Sequence, residues 1–206
     1  MWTLTLIRVI DDARSRAIAL TVFGLTVAQL AIATFVPGLD QFEGKAFGDR
    51  LVAYPLLMLV VPATYRLWAR RQDPVPAAPW AAYAFIWAPF LIDVTGNTLD
   101  LYDSVAWWDD ANHFVNWFLL AAGAGLILSR AAELPPWALG WLTVGIGATL
   151  AIGWELGEWY SFIRHGTELE TAYEDTLLDE ALGTLGAGVA GVWVAVRRRR
   201  ELRREA

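Results

Sequence analysis

Cysteine is absent from the 206 residues. Disulfides, thiolate metal sites and a cysteine nucleophile are thereby excluded, and the redox compartment leaves no trace in the composition. Charge is scarce, at 18% of residues against roughly 25% in an ordinary soluble domain. A formal net charge of −6 offers no basic surplus, which excludes a general nucleic-acid binder. Internal repeats, low-complexity tracts and a polar stretch long enough for a separate soluble domain are also missing.

What remains is apolar. Hydrophobic residues make up 56% of the chain, against roughly 45–50% in soluble proteins, and twelve are tryptophans, which favour membrane–water interfaces. A helix needs about 20 mostly apolar residues to cross the hydrocarbon core. Six such segments are expected, near 17–36, 51–68, 80–99, 113–128, 137–160 and 179–196. The third is apolar only as far as Ile92, after which Asp93 and Asn97 interrupt it. The triplet Ala31-Ile32-Ala33 resembles a signal-peptidase site, but the apolar run continues past it and is long for a signal peptide, so an uncleaved helix is expected. The connectors are short. The expected fold is therefore all-α: a six-span bundle forming one integral membrane domain over 1–206.

Lysine and arginine concentrate on the cytoplasmic side of membranes. With the N-terminus inside, all but three of the sixteen basic residues, Lys45, Arg50 and Arg164, fall in cytoplasmic segments. Both termini are accordingly expected in the cytoplasm. The run Arg197 to Arg204 reads as a stop-transfer anchor that also meets anionic lipid head groups.

The acids gather at the opposite side. Asp93, Asn97 and Asp100 share one helical face, as do Asp109, His113 and Asn116, with Asp110 alongside. Glu155 and Glu158 are three apart, and Asp175 and Asp179 four apart, with Glu174 and Glu180 nearby. Glu155 lies eighteen residues beyond Trp137, roughly 27 Å at 1.5 Å per residue, and so at the outer edge of the hydrocarbon. Small residues extend these faces inward: Ala121 and Gly125, Ala148 and Ala151, the pair Gly153 and Gly157, and the series Gly183, Ala187 and Gly191. Such spacing lets helices pack closely in lipid. The last three spans are therefore expected to pack together and merge their polar ends into one outward-facing pocket.

Some of these acids have plain structural uses. Asp109 or Asp110, and Asp175 or Thr176, are suited to capping helix N-termini. Glu155 and Glu158 are not, because they close a helix at its C-terminal end, where the dipole disfavours carboxylates. Ionisable groups at such depth are costly and tend to mark function. Beside aspartates, His113 becomes a ligand for zinc, manganese or iron, whereas an all-oxygen set would suit magnesium or calcium.

The runs Leu101-Tyr102-Asp103, Trp108-Asp109-Asp110-Ala111-Asn112-His113-Phe114, Trp154-Glu155-Leu156-Gly157-Glu158-Trp159 and Glu174-Asp175-Thr176-Leu177-Leu178-Asp179 resemble bacterial inner-membrane proteins of the YjdF type, over about residues 80–195. More loosely the chain is similar to VanZ-like proteins, in which glutamine often stands at the place of Glu158 here. The resemblance implies a multi-pass bacterial inner-membrane protein in which these positions matter.

Three functions stay open at this level. In the first, Asp110, His113, Glu155, Glu158, Asp175 and Asp179 hold a divalent metal ion, supported by Asp93, Asn97, Asp103, Asp109 and Asn116. Such a site suits hydrolysis of a small phosphate or lipid-linked substrate by metal-activated water, with Glu155 or Glu158 as base or ligand. The second is a transporter or proton-coupled carrier, against which the acids lie near one surface rather than the midplane. The third is a structural or accessory membrane protein.

Overall fold

A computed structural model of the chain describes residues 2–36, 42, 44–161, 163–165 and 172–205. Every regular element among them is helical: α1 (Trp2–Phe35), α2 (Phe47–Ala69), α3 (Trp80–Thr98), α4 (Leu101–Ser104), α5 (Trp108–Ala131), α6 (Pro136–Ser161) and α7 (Ala172–Glu205), with a 3-10 turn at Ile163–His165. Among the described residues, five helices are long and apolar enough to cross a membrane: α1 from Asp12, α2, α5, α6 as far as Tyr160, and α7 as far as Arg204. The 19-residue α3 is not among them, for it carries Asp93 and Asn97 and is rich in aromatic rings. Large apolar side chains such as Ile18, Leu25 and Ile32 on α1, and Leu56 and Val60 on α2, lie exposed, as lipid-facing surfaces require.

The outer helices run further than their apolar cores. Helix α5 begins at Trp108, so Asp109 and Asp110 occupy its first turn; its N-cap is Trp107, with no side-chain capping bond. Helix α7 begins at Ala172, which places Asp175 in the first turn and Asp179 two turns inside the helix, not ahead of it. Charged side chains do not terminate these helices because their backbone hydrogen bonds continue regardless of solvent.

The chain forms two compact units, residues 1–106 and 107–206. In the first, α1, α2 and α3 surround a core of Leu30, Ala33, Phe47, Tyr54 and Val94. Prolines inside helices leave a structural signature here. Pro62 lacks an N–H, so the carbonyl of Met58 one turn earlier has no helical donor. Trp87 on α3 supplies the missing bond: its indole Nε1–H donates to Met58 O at 2.6 Å, both groups being buried. In a lipid-facing helix an orphaned carbonyl is costly, and a neighbouring helix is the available source of a donor.

In the second unit, α5, α6 and α7 pack against one another. Glycine permits the close approach. A Cβ on Gly186 would come closer than 3.0 Å to the Phe114 carbonyl oxygen, and one on Gly191 would lie 2.7 Å from the Gly140 carbonyl oxygen. Gly183 faces the Trp117 ring, Gly125 faces Thr143 and Val194, and Gly147 faces Ala187 and Ala121. The series Gly183, Ala187 and Gly191 and the pair Ala121 and Gly125 thus lie at the helix contacts. Gly153 and Gly157 do not: an added Cβ would meet nothing within 4 Å at either. On α6 the contact is made instead by Gly140 and Gly147.

Candidate functional site

The polar end of the second unit is where α5 and α7 begin and α6 ends. This follows from the close packing of three helices, of which the first and third run one way and the second returns. Asp109 and His113 lie one turn apart on α5, Glu155 and Glu158 one turn apart at the end of α6, and Asp179 on α7. His113, Glu155 and Asp179 are buried, at 8%, 6% and 4% exposure. Asp109 and Glu158 are half-buried.

The imidazole of His113 is the centre of this arrangement. On its Nε2 side, Asp109 Oδ1 stands 3.7 Å away and Asp179 Oδ1 3.6 Å away. On its Nδ1 side, Glu155 Oε1 stands at 3.7 Å. All three separations exceed the hydrogen-bond range for N–H···O, 2.7–3.2 Å. His113 Nδ1 and Glu155 Oε1 are fully buried and have no hydrogen-bond partner. Donor atoms of Asp109, His113 and Asp179 lie within 4.8 Å of one another, and so do those of His113, Glu155 and Glu158. The two groups share His113 and lie to either side of its ring. A side-chain hydrogen bond joins Thr176 to Glu155.

Among the described residues, no lysine or arginine forms a salt bridge with the buried Glu155 or Asp179. Burying a carboxylate without compensation is strongly unfavourable. Chemically, the arrangement offers ligand atoms: oxygen donors from three helices surround one imidazole, and His113 Nδ1 and Glu155 Oε1 lack hydrogen-bond partners.

The remaining expected residues are placed as follows. Asp109, expected in a supporting position, stands directly beside the imidazole. Asp110 and Asp175, expected as ligands, join neither group; their charges reach His113 through space. Asn116 lies one turn deeper than His113 on the same face, and its buried Oδ1 also lacks a hydrogen bond.

Asp93, Asn97 and Asp103 belong to the first unit and are engaged there. Asp93 Oδ2 accepts from Arg50 Nη1 and from the Tyr54 hydroxyl, each at 2.5 Å, and Asp93 Oδ1 accepts from Tyr102 at 3.1 Å and from Asn97 Nδ2 at 3.2 Å. Lys45 Nζ pairs with Asp100 and, at 2.9 Å, with Asp103, and reaches the Asn97 carbonyl at 3.4 Å. Burial alone would lower the Lys45 pKa, but the bonds to Asp100 and Asp103 outweigh it and hold the ammonium above its usual range. The same bond from Lys45 holds the Asp100 carboxyl below its usual range. Sequence reasoning passed over Arg50, Tyr54 and Lys45 as partners. The available signal was that Lys45 and Arg50 are two of only three basic residues on the acidic side.

Residues 18–200 match the family model described as "Predicted membrane protein (DUF2238)", and the chain belongs to that family. No curated protein and no solved structure matches it.

Proposed function

We propose that this member of the family is a multi-pass bacterial inner-membrane protein whose outward-facing pocket binds a divalent cation. It is of the YjdF type, with α3 as a sixth span, both termini cytoplasmic and the whole chain forming one membrane domain. Asp109, His113, Glu155, Glu158 and Asp179 line the site, and Asp110 and Asp175 add negative potential at the mouth. The observation that carries this reading is the convergence of Asp109, Glu155 and Asp179, from three helices, on the buried His113 imidazole at 3.6–3.7 Å, distances too long for hydrogen bonds.

The chemistry that such a cation supplies is water activation, since a bound divalent metal lowers the pKa of its water. On a phosphoester from a small phosphate or a lipid-linked substrate, the water oxygen bonds to phosphorus and the P–O bond to the leaving alcohol breaks. The water proton would pass to Glu158, the half-buried carboxylate at the outer rim of the group, and from there to the leaving alkoxide oxygen.

Metal analysis of the purified full-length protein tests the reading. About one divalent ion per chain is expected, and its loss is expected in both His113→Ala and Asp179→Ala. A wild-type protein that retains no ion after purification, and takes up none from zinc, manganese or magnesium buffers, would refute it. Topology is tested separately on the natively cysteine-free chain. A cysteine at the exposed Tyr173 should react with an impermeant maleimide on intact cells, and one at Leu202 should not.

A further inference from the structure

We infer that the cation is held on the Nε2 side of His113, by Asp109 and Asp179, and that Glu155 is a positioning residue that accepts the hydrogen bond of Nδ1–H. This assignment rests on the cation site proposed above.

The argument begins with the two faces of one imidazole. Nitrogen and carboxylate ligands of zinc sit at about 2.0–2.2 Å, which puts neighbouring ligand atoms in a tetrahedral shell about 3.4 Å apart. The Nε2 atom has two carboxylate oxygens at 3.6 and 3.7 Å, from two different helices, α5 and α7. These distances are too long for hydrogen bonds and within a few tenths of an ångström of shared-ligand spacing. They converge on a single nitrogen, as a common ion requires.

The Nδ1 side differs. A neutral imidazole that ligates a metal through Nε2 keeps its proton on Nδ1, and a metal-bound histidine almost always gives that proton to a carboxylate or carbonyl. Nδ1 is buried and unpartnered, and so is the Glu155 oxygen 3.7 Å from it. A small rotation of either side chain closes that gap to a hydrogen bond. Thr176 already bonds the same carboxylate, which fixes its orientation. One unmade bond accounts for both orphaned atoms. The alternative, a cation on Nδ1 held by Glu155 and Glu158, uses two acids from one helix and draws on neither Asp109 nor Asp179 at Nε2.

Three protein donors leave a zinc-like ion with an open position, as in sites that exchange water or substrate, whereas closed four-ligand sites are structural. The assignment therefore separates the residues by what their loss does. Asp109 and Asp179 define the site. Glu155 tunes it through the ring.

The chain has only two histidines, so nitrogen NMR on protein labelled with 15N-histidine and carrying His165→Gln reads His113 alone. With zinc bound, the expected spectrum has a metallated Nε2 and a protonated Nδ1. In parallel, cobalt titration followed by its visible ligand-field bands measures stoichiometry and affinity. Glu155→Gln should keep one cobalt per chain and the band positions, while weakening affinity about 10–100-fold, the usual effect of removing such a partner. Asp179→Asn should lose the bound cobalt. A metallated Nδ1 in the wild-type background, or binding lost in Glu155→Gln and kept in Asp179→Asn, overturns this assignment and leaves the cation site standing. If neither zinc nor cobalt binds the unsubstituted protein, this assignment falls, and the cation site falls with it when manganese and magnesium also fail to bind. Because the NMR measurement uses intact ligands, it decides the matter even if a substituted variant fails to fold.

Discussion

Replacing Gly186 by alanine adds one methyl group at the closest approach of α5 and α7. The new Cβ would overlap the Phe114 carbonyl oxygen and lie 3.0 Å from the Phe118 amide nitrogen. These are backbone atoms, so no rotamer change can relieve the contact and the two helices must move apart. Overpacking a well-filled core typically costs about 1–3 kcal/mol, and a backbone obstacle belongs at the upper end. Against this, alanine gains about 1 kcal/mol over glycine from helix propensity alone. The net loss is about 2 kcal/mol, or about 4–8 °C in a chain of this size. Gly153→Ala is the control: nothing lies within 4 Å of its added Cβ, so only the propensity gain applies and the protein should be slightly stabilised. Thermal unfolding in a mild detergent, followed by tryptophan fluorescence, measures both. Gly186 lies two turns below Asp179 on the same helix, so the substitution should also weaken cation binding by moving that carboxylate relative to His113. A Gly186→Ala protein as stable as wild type, with Gly153→Ala less stable, would refute the packing argument and the placement of Asp179 that depends on it.

Trp87→Phe removes the donor to Met58 O and should destabilise by about 1–3 kcal/mol, the range for a buried carbonyl left unsatisfied. Adding Pro62→Ala restores a helical N–H to that carbonyl, so a double-mutant cycle in the same melting assay should show the second change rescuing the first; additive losses would contradict the bond's role. Asp93→Asn leaves the partly buried Arg50 without its charge partner and should cost about 2–4 kcal/mol, somewhat below the range for a fully buried pair. Asp93→Leu combined with Arg50→Met should recover much of that loss in chemical unfolding. The Lys45–Asp100 pair sets a pH window. The Lys45 pKa is raised above 10.5, so its contribution is complete below that value and fades as pH rises past the folded pKa; the Asp100 pKa is lowered below 3.8, so its contribution is complete above that value and fades as pH falls through the folded pKa. Hydrogen-exchange protection at the Ser104 amide, corrected for intrinsic rate, should be flat from about pH 5 to about pH 9 and decline only beyond both ends.

The helical class and the burial pattern were legible because lipid imposes them: backbone polar groups must be paired within a helix, so long apolar runs have one outcome. The small-residue series Gly183, Ala187, Gly191 was legible for a related reason, since side-chain volume alone decides which face can approach another helix. The pair Gly153 and Gly157 has the same spacing and yet packs on nothing, because spacing identifies a face and not what it meets. The partner of α7 on α6 is instead the face of Gly140 and Gly147, whose spacing of seven passes unnoticed beside a tidy four.

The site was legible as a set of helices and not as a set of contacts. Periodicity placed Asp109 and Asp110 together, but only the direction in which each leaves α5 separates the acid beside Nε2 from the one outside both donor groups. Likewise Asp175 and Asp179 share a face, yet one turn of depth makes the first a solvent-exposed first-turn residue and the second a buried neighbour of the imidazole. Charge explains the other division. Arg50 and Lys45 satisfy Asp93, Asp100 and Asp103 within residues 1–106, so these acids need no further cation. Among the described residues, Glu155 and Asp179 have no such salt-bridge partner, which sets these two buried acids apart from others that looked alike along the sequence.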